Sequence, residues 1–200
     1  KTLGIGEGCW NGNGARQLHP NQKRVAGLWA ARIEGISNIG YNAEEILSNI
    51  RGIEKLSAVF DTTTRYMIFP SAVWNVLAYN WQKMYGCKMT DNISPVNKCV
   101  SDNGELNCSG LHCFAKGKTC EHVDKIFKPV LVQLNDMYYV MNNTDYLVYN
   151  ETSGNCDVLF SYDFQNNDVV RFGEVFFTSF MVGFNLKTQQ IAVTEKTNAA

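Results

Sequence analysis

Short apolar runs separated by polar, turn-forming clusters dominate the chain, and few of them carry a helical repeat. Residues 25–33 (VAGLWAARI) read as a strand, and residues 55–60 (KLSAVF) as another that stops at Asp61. The apolar pattern returns at residues 126–134 (IFKPVLVQL), turns at Asn135-Asp136, and resumes at residues 137–141, 146–149 and 158–164. Residues 181–185 and 190–194 flank a turn at 186–189 and read as a hairpin. Pro70-Ser71 opens a helical pattern over residues 72–84, where Val73, Trp74, Leu77, Trp81 and Met84 share one face. Core packing accounts for that face. Residues 173–180 fit a helical turn or a strand. The whole pattern predicts an all-β fold with a few short helices and no internal repeat.

Residues 86–120 break the pattern. They hold Cys87, Cys99, Cys108, Cys113 and Cys120, many polar residues and few large apolar ones. We read them as a surface insertion stabilised by cross-links more than by a core. A zinc site competes for these cysteines, but only Cys108 and Cys113 approach a metal spacing and no second tight pair follows. A disulfide-stapled insertion is the better reading. Cys9 is remote and pairs outside this chain or stays free. Glycosylation sequons stand at Asn92, Asn107, Asn142 and Asn150, with Asn92 weakened by the nearby Pro95. Seven cysteines together with these sequons point to the secretory pathway, either outside the cell or in the lumen of an acidic vacuole.

Charge and hydropathy exclude other classes. Lys and Arg total 18 against 19 Asp and Glu, so no basic nucleic-acid surface is expected. No run approaches the roughly 18 apolar residues of a membrane span. The longest, residues 175–184, contains Thr178, Ser179 and Gly183. The chain opens on a Gly-rich, strand-like run without a signal-peptide pattern, as a processed or partial product would. A length of 200 residues suits one domain, or one large lobe of a two-lobed protein.

One acidic residue stands out. Asp61 ends an apolar strand and precedes Thr62, Thr63 and Thr64. A carboxylate at the end of a buried strand is costly unless hydrogen-bonded, and the Thr62 and Thr64 hydroxyls with nearby backbone N–H groups are the candidate donors. By itself this fixes only the position of Asp61, since a strand-terminal Asp is more often a turn residue than a catalyst. His19, His112 and His122 show no triad pattern and read as loop residues. Gly4, Gly6, Gly8, Gly12 and Gly14 lack the Lys-Ser/Thr and the helix of a phosphate loop. Asp157 and Asp163 read as surface charges.

Residues 58–70 (AVFDTTTRYMIFP) are similar to the second active-site segment of pepsin-like aspartic proteases, which reads apolar-apolar-Asp-Thr-Gly-Thr/Ser before a Pro and a helix. Residues 27–33 (GLWAARI) look like the family's Trp-bearing strand ahead of that segment. Residues 171–177 (RFGEVFF) resemble its Leu-Gly-Asp-Val/Phe-Phe-Leu segment, whose apolar-Gly pair, here Phe172 and Gly173, crosses behind the active-site loop. Residues 182–193 look like its closing hairpin. The resemblance implies a disulfide between Cys120 and Cys156, and with those two joined Cys87, Cys99, Cys108 and Cys113 are expected to pair among themselves in one of three connectivities. It covers nearly all of the chain outside residues 86–120. It implies that residues 1–200 are one C-terminal lobe of a pepsin-like fold, interrupted by the cysteine-rich insertion.

The family's chemistry needs two aspartates that share one proton and hold a water between them. The resemblance offers Asp61 as one half of such a dyad if the protein is active; the other half must then come from another lobe or chain, as must the substrate-covering flap. Thr63 stands where the family has Gly, adding a branched Cβ at the tightest part of the site. Thr62 and Thr64 keep the flanking hydroxyls, and Glu174 replaces Asp in the crossing segment. The expectation is a catalytically degenerate lobe serving as a secreted binding or assembly module. The alternatives are half of an active acid endopeptidase, with a peptide substrate, and an unrelated β-rich extracellular domain. An N-terminal lobe or a second chain is the expected partner, because apolar surface around Asp61 and Phe172 would otherwise be exposed. The insertion, with Asn107, is a further expected interaction surface. No metal or organic cofactor is implied.

Overall fold

The structure, a computed structural model, describes residues 17–20, 27–38, 56–71, 73–74, 88–89, 100–102, 105–107, 111–114, 120, 128–152, 155–163 and 168–196. For residues 17–20, 37–38, 88–89, 155 and those described within 100–114 it gives the backbone alone. Cys9, Cys87, Cys99, Cys108, His122, Asn92 and most of the 72–84 helix lie outside the described residues. So do the side chains of Cys113, Asn107, His19 and His112.

A seven-stranded sheet forms the body. Numbered in chain order, it contains β2 (Ala30–Asn38), β3 (Ser57–Phe60), β4 (Met67–Pro70), β9 (Val130–Leu134), β10 (Met137–Met141), β13 (Phe160–Asp163) and β14 (Val169–Phe172). Their order is β10-β9-β2-β3-β14-β4-β13. The consecutive strands β3 and β4 are therefore not neighbours. β14 lies between them, parallel to β3 and antiparallel to β4. Every residue of β3 and β4 is buried, as expected of central strands covered on both faces. β9 instead alternates, with Val130, Val132 and Leu134 buried.

Two other sheets flank the body. β1 (Gln17–Pro20), β16 (Gln190–Glu195) and β15 (Phe180–Asn185) form one, with β15 and β16 joined as the expected hairpin. β11 (Leu147–Asn150), β12 (Asn155–Val158), β8 (Leu111–Phe114) and β5 (Lys88–Met89) form the other. Residues 86–120 thus share a sheet with β11 and β12, since β8 pairs with β12 over four residue pairs and β5 pairs with β8. The remaining strands, β6 (Val100–Asp102) and β7 (Glu105–Asn107), pair with each other. Cys120 and Cys156 are joined by a disulfide, with Cα atoms 5.8 Å apart.

Local chemistry moves several expected boundaries. Gly27 adopts φ +78°, a turn conformation that an L side chain resists, so β2 begins only at Ala30, beyond the turn, and runs on to Asn38. A bulge between Ile33 and Gly35 rephases the alternation and leaves both Ile33 and Ile36 buried. Tyr146 closes a short helix, α1 (Asn143–Tyr146), instead of opening a strand. Residues 158–164 split between β12 and β13 around Leu159. The ambiguous stretch at 173–180 is a helix, α2 (Glu174–Ser179), that passes directly into β15.

The core is rich in aromatic rings. Phe69, Trp74, Tyr146, Phe160 and Tyr162 pack on one side of the described region. Phe60, Phe172, Phe176, Phe180 and Tyr139 form a second set. Such edge and offset contacts add about 1 kcal/mol per pair beyond burial. Burial also raises the Tyr139 phenol pKa well above its ordinary value of 10.0. The unfolded chain therefore loses that proton first. Stability from Tyr139 is intact below the ordinary value and falls as pH rises through and beyond it. Urea melts taken from about pH 8 to about pH 11 should show this alkaline loss. Tyr139→Phe should flatten it, and an unchanged slope would refute the assignment to Tyr139.

Candidate functional site

The link between β3 and β4 must pass over β14, because β14 occupies the place between them. Residues 61–66 make that crossing as a loop, and its bonds tie it to the end of β14. The Asp61 N–H donates to the Phe172 carbonyl at 3.0 Å. At the start of α2 the Glu174 N–H donates to the Thr64 carbonyl at 2.7 Å, and the Val175 N–H to the Arg65 carbonyl at 3.1 Å. Two helix N-terminal donors, which have no partner within the helix, are thereby satisfied. Gly173 sits beneath the loop. A Cβ there would lie 2.1 Å from the Tyr66 carbonyl oxygen and 2.6 Å from that of Thr64.

This frame holds the Asp61 carboxylate, whose side chain is 13% exposed. Its Oδ1 accepts the Thr63 N–H at 2.9 Å and the Thr63 hydroxyl at 2.6 Å. Its Oδ2 accepts from Arg171 Nη1 at 3.4 Å. The backbone N–H donor is of the kind expected, but the hydroxyl donor is Thr63 and not Thr62 or Thr64. Thr62 is exposed, and the buried Thr64 hydroxyl accepts the Tyr66 N–H at 3.3 Å. Thr63 supplies both local bonds because an Asp side chain folds back readily onto the residue two positions on.

Arg171 was not anticipated as a partner of Asp61. It lies opposite Val59 in the β14–β3 pair, two residues before Asp61. The signal available was a single cation in the run Val169-Val170-Arg171-Phe172, since a charge on a mostly buried strand requires a counter-charge. Tyr66, half-buried at the far end of the loop, has its phenol pKa raised by burial and then by the Asp157 carboxylate, with Arg65 opposing. Asp157 is itself partly buried and accepts from Asn150 Nδ2 at 2.7 Å, so it is more than a surface charge. Among the described residues no group of His, Cys, Asp and Glu is arranged to hold a metal ion. No helix among them is long and apolar enough to cross a membrane.

The apolar surface beside Asp61 also differs in composition from the expectation. Phe172 is fully buried under Phe60 and Phe176. The exposed large apolar side chains among the described residues are Leu28, Tyr138, Met181, Phe184 and Leu186, and of these Phe184, 40% exposed, contacts Phe60 beside Asp61. Phe184 packs on Trp29 with ring centroids 5.1 Å apart and on Phe60 at 6.1 Å. The hairpin carries Phe184 over the end of β3, next to the residue that precedes Asp61.

A central strand threaded between two others, a loop crossing over it with an Asp at its start, and a Gly pressed beneath define a specific arrangement. The family described as eukaryotic aspartyl protease matches residues 17–196. The chain belongs to this family. Its fold is similar to that of the aspartic proteinase from Irpex lacteus, with a TM-score of 0.61 and 11% identity. That likeness covers 92% of this chain and 48% of the other, so the chain spans about half the length of that solved relative. At this identity the likeness concerns fold alone. No curated protein matches the chain closely enough to count as a relative.

Proposed function

We propose that this chain is the C-terminal lobe of a pepsin-like protein in which Asp61 has lost its proteolytic role, and that the lobe serves as a binding or assembly module of the secretory pathway. The observation that carries the reading is the occupancy of the Asp61 carboxylate. Aspartic proteolysis needs a water held between two facing carboxyl groups that share a proton. Here Thr63 places two donors on Oδ1, at 2.9 and 2.6 Å, and Arg171 faces Oδ2 at 3.4 Å. Both carboxylate oxygens therefore already accept bonds from this chain, which supports the reading that Asp61 is held as a structural anion. The branched Thr63 side chain adds bulk at the same place.

Exposed Phe184, packed on Phe60 beside Asp61, favours an apolar partner surface, and a second lobe or chain is the occupant we propose. The buried disulfide favours an oxidising compartment. One observation favours the alternative of half an active acid endopeptidase. Asp61 is retained and held firmly at the end of β3, with Gly173 beneath its loop.

The test is proteolysis of an unfolded protein by the intact native material at about pH 4, where a shared-proton dyad works. We expect no cleavage and no binding of a statine-type transition-state analogue by a folded sample. Cleavage abolished both by the analogue and by Asp61→Asn would overturn the reading and establish the alternative.

A further inference from the structure

The Asp61 loop leaves the sequons unexplained. Two of them, at Asn142 and Asn150, stand on residues whose side chains are described, and the fold treats them differently. Asn142 follows β10 and precedes α1, and both it and Thr144, the hydroxyl residue of its sequon, are exposed. The bonds at this corner draw on its backbone. The Asn142 N–H donates to Asp145 Oδ2 at 3.0 Å, and the Asn142 carbonyl accepts the Asp145 N–H at 3.0 Å.

Asn150 is half-buried at the end of β11, and both ends of its carboxamide are in use. Nδ2 donates to Asp157 Oδ2 at 2.7 Å, and Oδ1 accepts the Thr152 N–H at 3.0 Å. Asn150 faces Asn155 and Val148 faces Asp157, so Asn150 and Asp157 are diagonal cross-strand neighbours. The same Asp157 charge is felt at the Tyr66 phenol. The Asn150 bond therefore braces the β11–β12 pair, and the carbonyl of Leu159, directly after β12, accepts the N–H of Met67, the residue that follows the Asp61 loop, at 3.0 Å.

We propose that Asn142 carries an N-linked glycan and that Asn150 remains unmodified as a cross-strand brace. This rests on the secretory reading above and is independent of whether Asp61 is catalytic. In the transfer, Nδ2 forms a bond to the anomeric carbon of an oligosaccharide, loses one proton, and the lipid pyrophosphate carrier departs. At Asn142 the sugar projects into solvent. At Asn150 it would have to leave a half-buried nitrogen that already bonds Asp157.

The test uses the full protein secreted from eukaryotic cells. Enzymatic glycan release in heavy-oxygen water converts each glycosylated Asn to a labelled Asp, which peptide mapping locates. We expect label at Asn142 and none at Asn150. Thr144→Ala should remove one glycan's mobility shift. Thr152→Ala, which destroys the other sequon and spares the Asn150 amide, should leave mobility unchanged. Label at Asn150 overturns the proposal, as does a bare Asn142 when Asn107 is labelled. A protein unlabelled at every sequon overturns the proposal and the secretory reading together, while the protease test above stands apart from both.

Discussion

Gly173→Ala is expected to cost the fold about 3 kcal/mol or more, at the top of the range for overpacking. The reason is space and not conformation. Gly173 has φ −80° and ψ −164°, an extended geometry that any residue adopts. An added Cβ would nevertheless lie 2.1 Å from the Tyr66 oxygen and 2.6 Å from the Thr64 oxygen. Both are backbone atoms, so no rotamer change relieves the contact. The loop must lift instead. Lifting it breaks the bonds from Glu174 N–H to the Thr64 carbonyl and from Val175 N–H to the Arg65 carbonyl, each worth about 1 kcal/mol. It also displaces Asp61 at the start of the same loop. Gly27→Ala supplies the contrast, since Gly27 has φ +78° with nothing within 4 Å of the added carbon. That change should cost only about 1 kcal/mol, from backbone conformation alone. Urea unfolding midpoints read both variants. A Gly173→Ala midpoint equal to that of the parent would show that the loop is not pressed on the strand end as described.

The parts legible in the sequence were those fixed by short-range chemistry. Alternation in residues 130–134 and 137–141, with Asn135 between them at φ 50°, defines a hairpin through local periodicity and turn preference. The order of motifs around Asp61 carried the family. What escaped was set by contacts distant in sequence. Arg171 meets Asp61 across 110 residues, and only the insertion of β14 between β3 and β4 brings them together. Of the strands within residues 86–120, β5 and β8 are ordered by pairing that leads to the distant β12, and β6 and β7 pair with each other, without an apolar alternation to announce any of them. Phe172 was expected at an exposed edge, but the helix that follows it folds Phe176 back over its ring, with centroids 4.5 Å apart. Thr63 was legible as a departure from the family's Gly. Its second effect, donating its hydroxyl to Asp61, depends on a loop conformation that composition does not reveal.

Replacing Cys120 and Cys156 together by Ala is expected to cost about 3–4 kcal/mol. The cross-link spans 36 residues. Its main effect is on the unfolded chain, where it removes the freedom of a long loop. In the folded chain, Cys156 is already held by the ladders of β12 with β11 and β8, facing Tyr149 on one side and Cys113 on the other. Losing the bond therefore leaves those ladders intact and leaves the buried sulfur volumes as small cavities. Denaturant melts of the double variant, with the remaining cysteines untouched, measure the loss. A loss below about 1 kcal/mol would mean that the unfolded chain already keeps Cys120 near Cys156, through residual structure or other cross-links. The full loss would place the bond among the principal ties between Cys120 and the β11–β12 pair. Because the carbonyl of Leu159, directly after β12, accepts the Met67 N–H at 3.0 Å, loosening there should extend to the far end of the Asp61 loop.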